Sequence, residues 1–266
     1  MELRAKKSLG QNFLNSPSAV AQIVGAANVG KGNLVLEIGP GTGILTQALL
    51  KTGASVVAIE KDDRAIGLLS EKFKTDVEAG TFRIIHGDAL EVDLEKLSLA
   101  DGKYSLVANI PYYITGMILA RFLEHTPCPF SAVLLVQKEV AERIVARDGK
   151  ESILSISVKV FGSPRIIAKV PRGAFVPAPN VDSAIMEISG ISGDRFTQKN
   201  LDIGHFFKIL KAGFAHKRKL LRNNLKEANI GETSIKNVWA SLQLDEKRRA
   251  EELDTEKWLE LASLLN

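Results

Sequence analysis

One stretch near the start of the chain limits its possible folds more than any other. Residues 33–38 form a mostly apolar run typical of a buried strand, and they lead directly into the glycine-rich segment Gly39–Gly43 and then the amphipathic segment Ile44–Lys51. A strand, a glycine loop and a helix in this order let the backbone approach a ligand closely, as in doubly wound α/β folds. The stretch therefore predicts a parallel sheet with a ligand site at Gly39 and Gly41.

The same alternation of strand and helix patterns continues along the chain. Later strand patterns end at Glu60, Asp88 and Asn109. Because crossovers between parallel strands are right-handed, these ends lie on one edge of one sheet, the edge at which open α/β sheets bind ligands. We therefore expect Gly39, Glu60, Asp88 and Asn109 to line a common site.

Two acidic residues at these strand ends suit a nucleoside-containing cofactor. Glu60 follows Gly39 at about the 20-residue separation at which doubly wound folds place a carboxylate on a ribose diol. Asp88 could accept a hydrogen bond from an adenine amino group, although aspartate also commonly forms turns or caps helices. A glycine loop followed by such acids fits NAD, FAD and S-adenosylmethionine alike.

The segment Asn109–Tyr112 discriminates among these cofactors. Pro111 ends the strand because it lacks an N–H. The Asn109 oxygen and the carbonyl next to Pro111 could accept the two N–H hydrogens of a base amine, and Tyr112 could stack on the base. The acceptors would direct the nitrogen lone pair at a sulfonium methyl, a step carried by positioning and electrostatics without a strong general base. The motif is typical of S-adenosylmethionine-dependent amino-methyltransferases.

A base must leave its stack to reach such a site, and extruded bases are commonly held between aromatic or apolar side chains. Tyr112 could provide one face. Phe175 begins the proline-stiffened segment 175–183 and could provide the other. We predict that these two rings hold the target base.

The pattern becomes all-helical from about residue 202, after a glycine- and serine-rich linker at residues 189–193. We predict a methyltransferase domain over residues 1–189, which begins with a basic N-terminal arm (residues 1–15), and a helical RNA-binding domain over residues 190–266. Acidic residues are absent from Phe206 to Lys226, where basic residues repeat near the helical period. A solvated charged face is the usual alternative, but we expect RNA contacts by Lys217, Arg218, Lys219 and Arg222. Residues 152–161 fit a helix or a strand.

Composition argues against several other classes of protein. The single Cys128 excludes an internal disulfide and a cysteine-based zinc site, and the four histidines lack metal-binding spacing, so no metal is expected. No apolar run reaches the roughly 18 residues that a membrane span needs, and the first residues lack the apolar core of a secretory signal. The net charge of +4 is a mild basic bias. A monomeric cytoplasmic protein is expected.

Taken together, the motifs resemble the ribosomal RNA adenine N6-dimethyltransferase family, and most of all its bacterial small-subunit members. The matching segments occur in order along nearly the whole chain: Leu9–Leu14, Glu37–Gly43, Gly87–Ala89, Asn109–Tyr112, Gln137–Ala141, Phe175–Ser183 and Arg218–Asn223. The resemblance implies a Rossmann-like class I S-adenosylmethionine-dependent methyltransferase sheet with a small all-helical C-terminal domain. It also implies a helix over residues 152–161 and cofactor contacts by Asn12, Leu14, Gly39, Glu60, Asp88 and Asn109.

The substrate that the resemblance implies is a pair of adjacent adenosines in a hairpin loop near the 3′ end of 16S rRNA, each methylated twice on N6 during 30S assembly. Three alternatives remain open. A resistance-type 23S rRNA adenine methyltransferase shares the cofactor motifs. An NAD-dependent dehydrogenase would need a hydride-transfer acid/base pair that is not evident. A non-catalytic RNA-binding assembly factor is disfavoured by the intact Asn109 and Tyr112.

Overall fold

The chain is organised around a seven-stranded, mostly parallel sheet. The structure is a computed structural model and describes residues 3–6, 9–146 and 149–265. Its strands are β1 Phe13–Leu14, β2 Leu34–Ile38, β3 Ser55–Glu60, β4 Phe82–His86, β5 Tyr104–Asn109, β6 Ser131–Gln137, β7 Ser163–Val170, β8 Phe175–Val176 and β9 Ser183–Ser189. The order in the large sheet is β4-β3-β2-β5-β6-β9-β7, and β1 pairs with β8 separately.

Helices connect these strands and make up most of the C-terminal part. They are α1 Pro17–Ala27, α2 Ile44–Lys51, α3 Asp63–Lys72, α4 Lys74–Glu78, α5 Thr115–Leu123, α6 Lys138–Ile144, α7 Ile153–Lys159, α8 Asp194–Gln198, α9 Ile203–Gly213, α10 Leu221–Glu227, α11 Glu232–Ser241 and α12 Thr255–Leu264. Within the described residues, none of the helices combines the length and the apolar character needed to cross a membrane.

The sheet has the predicted Rossmann-like winding. Strands β2 to β6 pair in parallel, and β9 runs antiparallel to both β6 and β7. The winding reverses between β2 and β5, which are neighbours although β3 and β4 lie between them in sequence. A crevice forms at the carboxyl ends of strands around such a switch point. Gly39, Glu60, Asp88 and Asn109 stand at or just beyond the carboxyl ends of β2, β3, β4 and β5, as expected.

Local sequence signals explain where the first helix begins and ends. Ser16 caps α1, because its side chain accepts a hydrogen bond from the N–H of Ala19 (3.3 Å), and Pro17 occupies the first turn. Asn28 ends the helix in a left-handed conformation with φ 47°. The adjoining face buries Ala19, Val20 and Ile23 in the core below the sheet edge.

The chain divides into two compact units. The sheet unit comprises Met1–Ala141 and Ser163–Ile191, and the helical unit comprises Glu142–Gly162 and Ser192–Asn266. Residues 142–162, which the sequence analysis assigned to the first domain, group with the C-terminal helices. The reason is aromatic packing, since the Phe161 ring lies 5.2 Å from that of Phe196 and 6.3 Å from that of Phe207. The functional division into a catalytic and an RNA-binding part stays a prediction.

The ambiguous segment 152–161 contains a helix, α7, as the resemblance implies. Ser152 and Ser155 form a reciprocal capping box: Ser155 N donates to the Ser152 hydroxyl (3.1 Å), and Ser152 N donates to the Ser155 hydroxyl (2.7 Å). This pairing satisfies two N–H groups that would otherwise lack partners at the helix start. The cap therefore outweighs the strand preference of the β-branched residues.

The basic residues between Phe206 and Lys226 repeat near the helical period, but they do not lie on one continuous helix. The helix stops at Gly213, and a new one begins at Leu221, so Lys217, Arg218 and Lys219 lie in the connecting loop. The Asn224 side chain stabilises this break, because its Nδ2 donates to the carbonyls of Gly213 (2.6 Å) and His216 (3.2 Å). The residues on either side of the break therefore do not share one helix face.

The N-terminal arm is held by the short pair of β1 and β8, in which Phe13 is opposite Val176 and Leu14 is opposite Phe175. Leu14 is 5% exposed and Phe175 is 3% exposed, and both belong to the core of the sheet unit. The Phe175 ring, which was expected to provide the second stacking face, is therefore buried in the core in this structure. Its predicted stacking on a base stays a prediction that requires the ring to leave this position.

A buried carboxyl group lies on β2, the strand that leads into the glycine loop. Glu37 is 1% exposed, and the Thr46 hydroxyl donates to its Oε2 (2.7 Å). Burial raises the pKa of Glu37 to about 8, and the neighbouring Glu60 adds to the increase. The group is thus neutral in the folded protein at neutral pH and ionised in the unfolded chain.

Replacing this carboxyl group should change how stability depends on pH. The folded-state pKa of Glu37 exceeds the unfolded value of 4.5, so its contribution is fully present below pH 4.5 and is lost as the pH rises to about 8. Within this window the slope is at most about 1.4 kcal/mol per pH unit. Urea unfolding of wild type and Glu37→Gln at several pH values should therefore show a stability difference that shifts toward the variant as pH rises. Parallel curves would contradict a neutral Glu37.

Truncation of Phe175 should primarily destabilise the protein. Removing a buried phenylalanine ring typically costs about 3–5 kcal/mol. Phe130, in the same unit, is 39% exposed, so Phe130→Ala is a matched control with a much smaller expected loss. Urea unfolding of both variants gives the comparison. Equal losses would show that the Phe175 ring does not contribute to the core as its burial indicates.

Candidate active site

A cavity of about 280 Å³ opens at the carboxyl edge of the sheet, within the sheet unit. Its walls come from the N-terminal arm and from the residues that follow β2, β3, β4 and β5. The predicted site residues that line it are Asn12, Gly39, Gly41, Glu60, Asp88, Asn109, Pro111 and Tyr112. Leu14 and Phe175 are not among its lining residues. The strand-end residues are therefore brought together at the cavity. Leu14 and Phe175, which are opposite each other in the β1–β8 pair, lie in the core instead.

The Glu60 carboxylate is held by three backbone N–H groups. Its Oε2 accepts from Gly41 (3.0 Å), and its Oε1 accepts from Lys61 and Asp62 (both 2.8 Å). Gly41 has φ +55°, and an added Cβ would lie 3.0 Å from the Phe13 ring, so only glycine fits here without strain. A carboxylate fixed in this way retains lone pairs that can accept hydrogen bonds from a diol.

Asp88 is an ionised acceptor beside this carboxylate. The Lys61 ammonium donates to its Oδ2 (2.6 Å), and the N–H of Leu90 donates to its Oδ1 (2.9 Å). The hydrogen bond from Lys61, followed by that from Leu90, lowers the pKa of Asp88. Lys61 was missed in the sequence analysis, although its position directly after Glu60 was a usable signal. The ionised Asp88 carboxylate is thus suited to accept a hydrogen bond from an amino group of a heterocycle.

Asn109 has a fixed amide orientation. Its Nδ2 donates to the carbonyl oxygen of Asn12 (3.1 Å), so its Oδ1 is left as an acceptor. The carbonyl of Pro111 is engaged, because it accepts from the N–H of Ile114 (3.1 Å). The carbonyl of Ile110 is therefore the candidate for the second acceptor beside Pro111. Two acceptors at a strand exit can bind the two hydrogens of an exocyclic amine.

Tyr112 provides an aromatic wall with a fixed hydroxyl. The hydroxyl shares a hydrogen bond of 2.7 Å with the Ser183 side chain. Burial raises the pKa of Tyr112 above its ordinary value of 10.0, so the phenol keeps its proton at neutral pH. The residue is thus suited to stacking rather than to proton transfer.

A second aromatic residue, Tyr113, was missed in the sequence analysis. It lines the cavity and is 66% exposed. Its ring packs against Gly10, because a Cβ added there would lie 2.8 Å from Tyr113 Cε1. The close contact joins the N-terminal arm to the exit of β5.

The four predicted RNA-binding residues differ in their surroundings in the helical unit. We call residues 214–220 the first basic loop. Lys219 pairs with Glu227 (2.6 Å), and Arg222 on α10 pairs with Glu246. Lys217 and Arg218 are exposed and make no ion pair with any residue in the described part of the chain. The latter two are therefore the better candidates for phosphate contacts.

A second basic loop, residues 242–249, lies beside the first and was missed in the sequence analysis. It contributes Lys247, Arg248 and Arg249. The N–H of Leu221 donates to the carbonyl of Arg248 (2.9 Å), and the ion pair of Arg222 with Glu246 adds a second link. Helix α11 separates the two loops in sequence, so their proximity could not be recognised from spacing.

Comparisons with known proteins show which family the chain resembles over nearly its whole length. The family model described as "Ribosomal RNA adenine dimethylase" matches residues 2–266. A protein of Dehalococcoides mccartyi (strain CBDB1), named ribosomal RNA small subunit methyltransferase A, is 42% identical over 97% of this chain and 88% of its own length.

Solved structures agree in fold. A dimethyladenosine transferase from Plasmodium falciparum has a TM-score of 0.76 and 29% identity, covering 94% of this chain and 95% of that one. The 23S rRNA methyltransferase ErmE has a TM-score of 0.72 and 24% identity, covering 96% and 99%. The second likeness shows the fold alone. With the whole chain matched by one family model, the protein belongs to the ribosomal RNA adenine dimethylase family, whose methyl donor is S-adenosylmethionine.

Proposed function

We propose that the chain dimethylates N6 of two adjacent adenosines in a hairpin loop near the 3′ end of 16S rRNA, during assembly of the 30S subunit. The observation that carries this proposal is the fixed Asn109 amide, which leaves an acceptor in the cavity next to Pro111 and Tyr112. The name of the Dehalococcoides relative supports the small subunit as the target. We place the activity in the cytoplasm with the ribosomal substrate, and we propose that the protein acts as a monomer.

The lining of the cavity fits S-adenosylmethionine. Glu60 would hold the ribose hydroxyls, Asp88 the adenine amino group, and Asn12 with the backbone at Gly39 and Gly41 the remainder. Gly41 supports this fit, because it lines the cavity with bare backbone in a left-handed conformation (φ +55°) that favours glycine. When bound, the cofactor supplies a methyl group made electrophilic by its sulfonium. Leu14, the buried residue of the arm on β1, would support the cofactor residues without lining the cavity.

The role of Asn109 is to act on the substrate amine. The lone pair of an adenine amine is delocalised into the ring, so the nitrogen is a poor nucleophile. Acceptors at Asn109 Oδ1 and the Ile110 carbonyl favour tetrahedral geometry at nitrogen and stabilise the positive charge that develops there. Tyr112 holds the extruded base by stacking. The amine loses its proton only after it becomes positive, so water suffices as the acceptor.

The two basic loops of the helical unit would contact the RNA backbone. Lys217, Arg218, Lys247 and Arg249 are exposed, and Arg248 is partly buried. Phosphate contacts supply sequence-independent affinity and position the RNA, whereas the base is recognised in the cavity. Lys219 and Arg222 would contribute less, because their carboxylate partners already neutralise part of their charge.

The alternative with a specific observation in its favour is methylation of 23S rRNA, since ErmE shares the fold. Labelled methyl transfer to undermethylated 30S particles, compared with 50S particles and with mapping of the modified bases, separates the two. We expect two dimethylated adenosines in the 30S hairpin loop. Labelling of 50S particles alone would overturn the proposal.

Asn109→Ala should mainly lower the chemical rate. Loss of one preorganised acceptor typically costs about 10²–10³-fold. Single-turnover methylation of 30S particles at saturating S-adenosylmethionine measures this rate. A wild-type rate in the variant would contradict the proposed role of Asn109.

Replacing Lys217 and Arg218 by alanine should weaken RNA binding and flatten its salt dependence. Removal of two phosphate contacts should lower the slope of log affinity against log salt by about one to two. Lys31→Ala with Lys103→Ala is a matched control of equal charge loss, because these exposed lysines precede β2 and β5 at the opposite edge of the sheet. Filter binding of substrate RNA at several salt concentrations gives both slopes. Equal changes in the two double variants would show that net charge alone matters.

A further inference from the structure

A buried carboxylate that the proposed chemistry does not use belongs to Asp62, which contacts the cavity residues Gln11 and Glu60. The Asp62 side chain is 0% exposed. Its Oδ2 accepts hydrogen bonds from Arg64 Nη2 (2.6 Å) and Gln11 Nε2 (2.9 Å). The Arg64 guanidinium is the main cause of a lowered pKa at Asp62. The carboxylate therefore remains ionised and anchors the N-terminal arm through Gln11.

Both ends of the Gln11 amide are engaged. Its Nε2 donates to Asp62, and its Oε1 accepts from the backbone N–H of Lys6 (2.8 Å). The charge-assisted bond to a buried carboxylate is stronger than a neutral one. Gln11 therefore fastens the arm to the residues that follow β3.

The other side of the arm is fastened to the exit of β5. The carbonyl of Asn12, the next residue, accepts from Asn109 Nδ2 (3.1 Å), and the ring of Tyr113 packs on Gly10. The arm thus spans the cavity from Asp62 to Asn109. The position of the Asn12 carbonyl decides which way the Asn109 amide points.

We propose that Gln11 and Asp62 are positioning residues for methyl transfer, which hold the arm so that Asn109 presents its oxygen to the substrate amine. The inference rests on the proposed function, because it assigns Asn109 the same role. Neither residue touches the amine. Their effect passes through the backbone of Asn12, and a displaced arm leaves the Asn109 amide free to rotate.

The first test measures the single-turnover rate at saturating S-adenosylmethionine, so that weaker cofactor binding does not contribute. Gln11→Ala should lower this rate about ten- to hundredfold, the loss expected when a reacting group is misplaced by roughly 1 Å. Gln198→Ala, an exposed glutamine on α8, is the matched control and should leave the rate unchanged. A Gln11→Ala rate within twofold of wild type would overturn the proposal.

The second test exchanges donor and acceptor. Gln11→Glu places two carboxylates together and should lower the rate at least tenfold. Adding Asp62→Asn supplies an amide donor in place of the carboxylate acceptor, so the hydrogen bond forms again with its direction reversed. The single-turnover rate of the double variant should then be within threefold of the rate of the single Asp62→Asn variant. Asp62 also caps α3, because its Oδ1 accepts from the N–H of Arg64 (3.2 Å). Asp202→Asn is therefore the control for loss of a capping carboxylate, since Asp202 caps α9 through His205 N (2.7 Å). A double variant no faster than Gln11→Glu would show that the pair only stabilises the fold.

A third measurement separates failure of this inference from failure of the proposed function. Amide hydrogen exchange of residues 9–14 should be faster in Gln11→Glu than in wild type and should slow again in the double variant. This readout needs no substrate. Unchanged exchange would overturn the anchoring role even if the wild type is active. If the variants show the expected changes in exchange but the wild type transfers no methyl group to RNA, the proposed function is refuted instead.

Discussion

The convergence of three backbone N–H groups on the Glu60 carboxylate is the interaction on which the site depends. A buried carboxylate without partners would be very costly, and hydrogen bonds to the charged form offset that cost. Here the partners come from the glycine loop after β2 and from the residues after β3. One side chain therefore fixes the relative positions of two loops, and the cavity between them keeps a defined shape.

The amine-binding end of the cavity depends on the N-terminal arm. Asn109 stands at the end of a buried strand, but the strand does not fix the direction of its amide; the Asn12 carbonyl does. The arm in turn is fixed by β1–β8 pairing and by Gln11. Chemistry at the end of β5 is thus supported by a segment distant in sequence.

The strands and their ends could be predicted from sequence because buried parallel strands are continuous apolar runs, and the helix of 44–51 because its apolar positions recur at helical spacing. The parallel topology alone was enough to place Gly39, Glu60, Asp88 and Asn109 at one edge of the sheet. The burial of Phe175 could not be predicted, because a two-residue strand such as β8 has no periodicity. Gly213 itself signals the end of a helix. The leucines and lysines that repeat at helical spacing on both sides of it favoured one continuous helix instead. The pairing of Arg222 with Glu246 depends on tertiary contacts between segments that α11 separates.

The pairing of β1 with β8 also has a consequence for synthesis of the protein. Strand β1 emerges from the ribosome before β2 to β7 of the large sheet, whereas β8 emerges after them. A domain generally folds as a unit during synthesis, and Leu14 lacks its strand partner until β8 has been made. The N-terminal arm of a growing chain therefore lacks its β1–β8 pairing until most of the sheet has been synthesised. A member of a family that modifies ribosomal RNA is thus incomplete at its own active site while the ribosome is still making most of it.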